Sequence, residues 1–239
     1  MILMATFKKR RPVKAYLIPM IAAFAGITAG WLLFPTQQDY RYGELRSMLE
    51  DMEEESFDVE ASYVMEEETA LQASGAYGPE RSMYSISTPV SNDSTFEFTI
   101  HVEEEAFFVE SGGDWSRGQR PNPIIQEMSP LDDPFTWMKT ILPEADSLET
   151  GDNWTRLHYD VLDDVDFQGY SLQEQEETSL LVERSGEETT VTFTVHPVRP
   201  EDVPTLNRYP ESMEYTIRFL PRERPVEPPP PEAEEGEPL

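Results

Sequence analysis

The sequence predicts an α+β protein: an N-terminal transmembrane helix followed by an antiparallel sheet covered by short helices. Three observations predict it. The stretch from Ala15 to Gln38 holds no charged residue. Beyond it, apolar side chains recur at every second position in about eight short runs bounded by turn residues, the pattern of half-buried strands. Two further segments, 39–52 and 134–142, carry apolar residues at helical spacing and can cover a sheet that is apolar on one face.

Lys8, Lys9, Arg10, Arg11 and Lys14 form a basic cluster ahead of the apolar span Ala15–Phe34. A helix of that length, at about 1.5 Å per residue, is about 30 Å long and matches a bilayer's hydrocarbon core. A cleaved signal peptide is the rival reading, because Ala23-Phe24-Ala25 has the small-x-small form of a cleavage site. The apolar run outlasts a usual signal-peptide core and continues well past that site, which favours an uncleaved signal anchor. The positive-inside rule then puts residues 1–14 in the cytoplasm and everything after Pro35 outside, in a single-pass protein of the cell membrane. Trp31 falls near the outer interface, where aromatic belts lie. Ala22, Gly26 and Gly30 recur every four residues on one helix face, a packing surface for a second copy or another membrane protein. Small residues are also common in membrane spans without any such role.

The chain carries 18 Lys and Arg against 47 Asp and Glu, a formal charge of −29, and no Cys. These counts exclude a disulfide scaffold, a thiol nucleophile, a Cys-ligated metal site and an acylated lipoprotein cysteine. They also exclude sequence-independent nucleic-acid binding, which needs a cationic surface. Five of the basic residues and none of the acidic ones precede Asp39, so residues 39–239 hold 13 basic against 47 acidic groups, a charge of −34. Lys139 is the only Lys among those 13. An alkaline or saline exterior favours such a surface, since Arg keeps its charge at high pH and salt screens carboxylate repulsion. Codon drift toward Arg is the other explanation.

Asp39 can cap a helix to about Met52, with Tyr42, Leu45, Leu49 and Met52 on one face. Phe57, Val59, Ala61, Tyr63 and Met65 then alternate with polar neighbours as a first strand. Leu71 to Tyr77 returns from the Glu66-Glu67-Glu68 turn, Tyr84 to Thr88 follows, and Phe96, Phe98, Ile100 and Val102 make a fourth strand. Ala106 to Val109 is a fifth. Strands in immediate succession imply an antiparallel meander. Gly112, Gly113, Gly118, Pro121 and Pro123 mark a loop. Asp133-Pro134 reads as N-cap and first residue of a short helix with Phe135, Met138 and Leu142 on one face. Leu157, Tyr159 and Val161 alternate again. Residues 171–185 fit either a capped helix or a strand paired across Ser185-Gly186. Val191 to Val195 and Met213 to Phe219 are strands. The domain thus spans 39–220. From Pro221 to Leu239, seven prolines and six glutamates in 19 residues predict an extended, disordered tail.

Little in the chain reads as chemistry. His101, His158 and His196 each alternate against the apolar set of their own strand, which places them on the solvent side. Three imidazoles make a metal site only if their strands are neighbours in register. Asp160, Asp163, Asp164 and Asp166 cluster, but lack the order, the Gly and the distal Glu of a calcium loop. No nucleophile elbow, phosphate loop or dinucleotide fingerprint is present. Asn92-Asp93-Ser94 and Asn153-Trp154-Thr155 fit the glycosylation pattern and matter only in a glycosylating host. The reading is therefore no enzyme, no cofactor and no metal.

Glu105-Ala-Phe-Phe-Val-Glu-Ser-Gly-Gly-Asp-Trp-Ser-Arg117 followed by Asp133-Pro-Phe-Thr-Trp-Met138, after an amphipathic helix and a meander, resembles the bacterial lipoprotein-carrier-like proteins. That group includes the LolA carriers and the LppX-like lipoproteins, and the resemblance covers roughly residues 40–220. It implies a curved half-barrel whose helices cover or plug the concave face, which takes an acyl chain or a partner. This chain lacks the lipobox cysteine and looks anchored by a helix instead, which sets it apart from a freely diffusing carrier. The expected function is a membrane-anchored, extracytoplasmic, non-catalytic domain that binds or senses an apolar, lipid-like ligand at the cell envelope. The alternative is a regulatory or scaffolding subunit that contacts another membrane protein through its transmembrane helix and outer domain.

Overall fold

The computed structural model describes residues 37–91, 94–122, 131, 133–160, 162, 165–167, 170–172, 175–198 and 210–239. The expected membrane span 15–34, its packing residues Ala22, Gly26 and Gly30, and the basic segment 1–14 lie outside the described residues. The chain divides into two compact units, Met1–Gly43 and Glu44–Leu239. Helix α1 (Gln37–Glu53) begins in the first and ends in the second.

The second unit is built on one large, curved and unclosed sheet. Strands β1 (Phe57–Met65), β2 (Glu68–Tyr77), β3 (Arg81–Ser91), β4 (Ser94–Glu103), β5 (Ala106–Ser111) and β6 (Asp114–Gln119) form an antiparallel meander. A second run comprises β7 (Ser147–Thr150), β8 (Trp154–Tyr159), β11 (Gln175–Ser185), β12 (Glu188–Pro197) and β13 (Met213–Pro221). The hairpin β9 (Val165–Phe167) and β10 (Tyr170–Leu172) stands apart as a small second sheet. The two runs join where β13 pairs with β1 in continuous register from Phe57↔Pro221 to Met65↔Met213. With β14 (Glu237–Pro238) the order is β14-β6-β5-β4-β3-β2-β1-β13-β12-β11-β8-β7, twelve strands in all.

This architecture corrects the α+β expectation. The described part is one sheet with few helices: α1, α2 (Pro134–Ile141), α3 (Pro231–Glu234) and a single 3-10 turn, Leu142–Glu144. Among the described residues no helix is long and apolar enough to cross a membrane. Two signals account for the shift toward strand. Gly112 and Gly113, read as a loop, both take positive φ and turn the β5–β6 hairpin tightly, as two-residue hairpins require. Within the ambiguous segment 171–185, residues 175–185 are strand, paired with β8 on one side and with β12 across the Ser185-Gly186 turn on the other.

Alternation makes one face of the sheet apolar. Val59, Ala61 and Tyr63 of β1 stand beside Phe219, Ile217 and Tyr215 of β13, and Val191 and Phe193 of β12 continue those rows. All of these are buried. Each such large side chain, fully buried, contributes roughly 1.5–3 kcal/mol. Helix α2 covers the centre of this inner face. Asp133 caps it, its Oδ1 accepting from the Thr136 N–H at 3.0 Å, with Pro134 in the first turn. Leu45, Leu49 and Met52 of α1 are buried as their spacing requires.

The opposite, outer face is polar through the middle of the sheet. There Arg218 of β13 grips Glu188 of β12 with two N–H donors, at 3.1 and 2.9 Å, and Glu60 of β1 with a third at 2.7 Å. The fork holds Glu188 below the usual carboxylate range, because the hydrogen bonds favour the charged form.

Residues 222–239, expected from their composition to lack a fold, run as a strap instead. The Arg222 N–H donates to the Ser56 carbonyl, and Val226 is buried in contact range of Gly78. Ala233 of α3 is fully buried. Glu234 pairs with Arg117 at 3.1 Å, and β14 lies parallel to β6, with the Leu239 N–H donating to the Arg117 carbonyl at 2.8 Å. Prolines hold the intervening chain extended and so reduce the entropy cost of seating it.

Candidate functional site

The inner face is where a ligand or partner of the expected kind would bind, and its two ends differ. At the centre it is filled. The Phe135 ring of α2 lies 4.9 Å from Tyr77, 5.1 Å from Phe219 and 6.2 Å from Phe57, and Phe57 meets Phe219 edge-on at 5.6 Å. Trp137, two residues further along α2, meets Phe193 edge-on at 5.0 Å. Edge-to-face and tilted pairs at these separations are the favoured aromatic geometries. The aromatics at the centre of the inner face therefore pack on one another.

Toward the β3–β4 hairpin that cover gives out. Ile100 and Val102 of β4 are buried, but Phe98, on the same face, is only half-buried, and Phe96 is 50% exposed. Register puts Phe96 beside Thr88 and Phe98 beside Ile86 of β3. The Phe96 and Phe98 rings lie 5.6 Å apart. Val90, at the end of β3, is 69% exposed. The apolar inner face thus runs out from under its cover onto a rim formed by Thr88, Phe96 and Phe98, with the exposed Val90 next to it at the irregular end of the β3–β4 pairing. Single exposed apolar residues are ordinary, but a run of them continuous with a buried face marks a contact surface.

At the other end of the same strands lies a polar groove of about 930 Å³, bordered by Tyr77, Arg81, Glu103, Glu105, Arg120 and Asp133. Arg81 lies 3.9 Å from both Glu80 and Glu103, and Arg120 donates to the Glu103 carbonyl at 3.2 Å. The Tyr77 hydroxyl donates to the Glu53 carbonyl at 3.4 Å. Burial, with Asp133 and Glu53 nearby, raises its pKa well above the ordinary phenol value. It is therefore a donor and not a base at neutral pH.

The histidines are not brought together. Between β4, which carries His101, and β12, which carries His196, stand β3, β2, β1 and β13. His158 of β8 is part-exposed on the outer face, 3.7 Å from Glu149, and His196 is part-buried. His101 corrects the solvent-side expectation: it is on the outer face as alternation requires, yet buried. Its ring lies 5.7 Å from Trp115, and the guanidinium of Arg117, which reaches the strap, lies over Phe108 at 5.6 Å. Trp115 and Arg117 of β6 thus add a second buried layer on this part of the outer face, which alternation within single strands does not reveal. Burial lowers the His101 pKa.

Of the aspartate cluster, Asp160 donates its backbone N–H to the Asp146 carboxylate at 2.6 Å, while Asp163 and Asp164 lie outside the described residues. No Asp or Glu among the described residues is buried. No group of three potential metal ligands occurs among them either. Asn153 is exposed at the β7–β8 turn and donates to the Arg184 carbonyl at 3.2 Å, while Asn92 lies outside the described residues. Sequence reasoning missed the rim as a site, although Phe96 and Phe98 were placed correctly on one face. No family model matches the chain, and no curated protein matches it.

Proposed function

We propose that this protein is a non-catalytic interaction module held at the outer face of the cell membrane, and that it docks an apolar surface of a partner protein on the β3–β4 rim. The tether is the uncharged span 15–34 behind its basic cluster, and the acidic domain faces the exterior. The observation that carries the reading is the rim itself: Val90 and Phe96 exposed at the open end of an otherwise covered apolar face. Glu97 is exposed on the other face of β4, and residues 39–239 carry a formal charge of −34. An acidic surround keeps such a patch soluble and favours partners of opposite charge.

The choice of a protein over a lipid-like ligand rests on packing. A small apolar ligand needs a concave, enclosed site, and Phe57, Tyr77, Phe135 and Phe219 occupy that space with their own rings. The test is the paired substitution Val90→Ser and Phe96→Ser in the whole chain, retrieved from its own membranes by an affinity tag. The expected result is loss of a specific co-purifying protein with the unfolding midpoint unchanged. Co-purification that survives the substitutions, or acyl lipid found bound by native mass spectrometry, would overturn the reading.

A further inference from the structure

We infer that the strap is exchangeable between copies: the seat on β5 and β6 also takes residues 231–239 of a second copy, giving a reciprocally strapped dimer. The inference names a partner for an interaction module and so deepens the reading above, but it uses a different surface.

The seat is selective. Gly236 passes so close to the sheet that a Cβ there would lie 2.9 Å from the Trp115 carbonyl oxygen and 3.0 Å from that of Ala233. Only glycine fits without displacing backbone. Three residues earlier Ala233 is fully buried, so a larger side chain has no room. Between them Glu234 reaches Arg117 at 3.1 Å. β14 then adds to the sheet in parallel, Glu237 beside Ser116 and Pro238 beside Arg117, against the antiparallel sense of the other pairs in the sheet. An occupant must therefore present Ala-Glu-x-Gly followed by an extended pair, and a second copy carries that sequence by construction.

The connection permits exchange. Residues 222–230 contain Pro225 and Pro228–Pro230, which keep the segment extended and able to reach outward. Between Arg222 and α3 the one buried side chain is Val226. Release costs the same contacts that reinsertion in the neighbour restores, the usual economy of a swapped element. Two copies held in one membrane meet at high effective concentration, which favours the second event.

The absence of cysteine makes the test direct. One tagged copy carries Ser116→Cys and a differently tagged copy carries Glu237→Cys, both as whole chains produced together in one membrane. A third protein carries both changes in one chain. The expected result is an interchain disulfide between the two tagged copies, with its yield cut about tenfold when Gly236→Val is added to the Glu237→Cys copy, as a backbone overlap demands. An intrachain disulfide in the double variant with no interchain product in the pair would refute exchange. No disulfide in either would refute the seat. Contact at the β3–β4 rim is unaffected by any of these outcomes, so exchange and rim docking fail separately.

Discussion

Lys139 Nζ lies 2.6 Å from Glu53 Oε2, joining α2 to the end of α1. The only lysine among residues 39–239 ties down the helix that covers the centre of the inner face. Both side chains are about a third exposed or less, so the pair is screened only in part. Replacing Lys139 with Ala should lower stability by about 1 kcal/mol, the upper end for such pairs. A double-mutant cycle with Glu53→Gln, read from urea midpoints, should return most of that as coupling. Additive effects would mean that the pair does not fasten the helices.

Gly75 of β2 sets a harder constraint. It pairs with Tyr84 of β3, and a Cβ there would lie 1.9 Å from the Met83 carbonyl oxygen. The neighbour is backbone in the interior of the sheet and has no rotamer to yield. Gly75→Ala should cost about 3 kcal/mol or more. Gly118→Ala should cost less, because the atoms met at 2.2 Å belong to the Phe107 ring. Thermal unfolding of the two variants tests the ranking, and equal losses would speak against it.

The β1–β2 turn holds strain that can be relieved. Glu66 and Glu67 both have positive φ, 52° and 66°, and bridge Met65 and Glu68 as a two-residue hairpin. Left-handed backbone costs a non-glycine residue about 1–2 kcal/mol, and Asn-Gly is the favoured pair for this turn. The double change Glu66→Asn with Glu67→Gly should raise stability by about 1 kcal/mol. Differential scanning calorimetry would show it, and an unchanged or lower midpoint would contradict the turn geometry.

His101 makes acid destabilising. Its folded-state pKa lies below the ordinary 6.5 because of burial. Between the folded and unfolded values the unfolded chain binds the extra proton, so stability rises with pH there. The contribution of neutral His101 is complete above about pH 6.5 and is lost as pH falls below it. His101→Phe should remove this slope. The comparison of wild type with H101F between pH 7.5 and 5 isolates it from carboxylate titration, which both share. Identical slopes would mean that the imidazole is not desolvated beside Trp115.

Much of the fold can be read from single strands. Phe57 to Met65 and Phe96 to Val102 alternate cleanly, and Asp133-Pro134 marks the start of α2, because period and capping are local signals. The rest is non-local. Gly112-Gly113 reads as loop or as hairpin depending on whether β6 pairs, and β6, with Trp115 and Gly118 among polar residues, has little apolar signal of its own. The strap resembles disorder because its anchors, Val226, Ala233 and Gly236, are three small or modest side chains scattered among prolines and glutamates. His101 is buried beside Trp115 of another strand, so its own neighbours in sequence mislead. The rim is hidden in the sequence for a related reason: Phe96 and Ile100 belong to one alternating set, and only the reach of the cover distinguishes them.

On the proposed function, the β3–β4 rim is occupied by a partner protein in the native membrane. Site-specific photocrosslinking measures this most directly, with a photoreactive phenylalanine analogue in place of Phe96 in the whole chain and, as control, in place of Glu183 on the outer face of β11. The expected result is one discrete protein adduct from position 96, none from position 183, and loss of the adduct when Phe98→Ser is added. No protein adduct from position 96, or equal labelling from both positions, would contradict it.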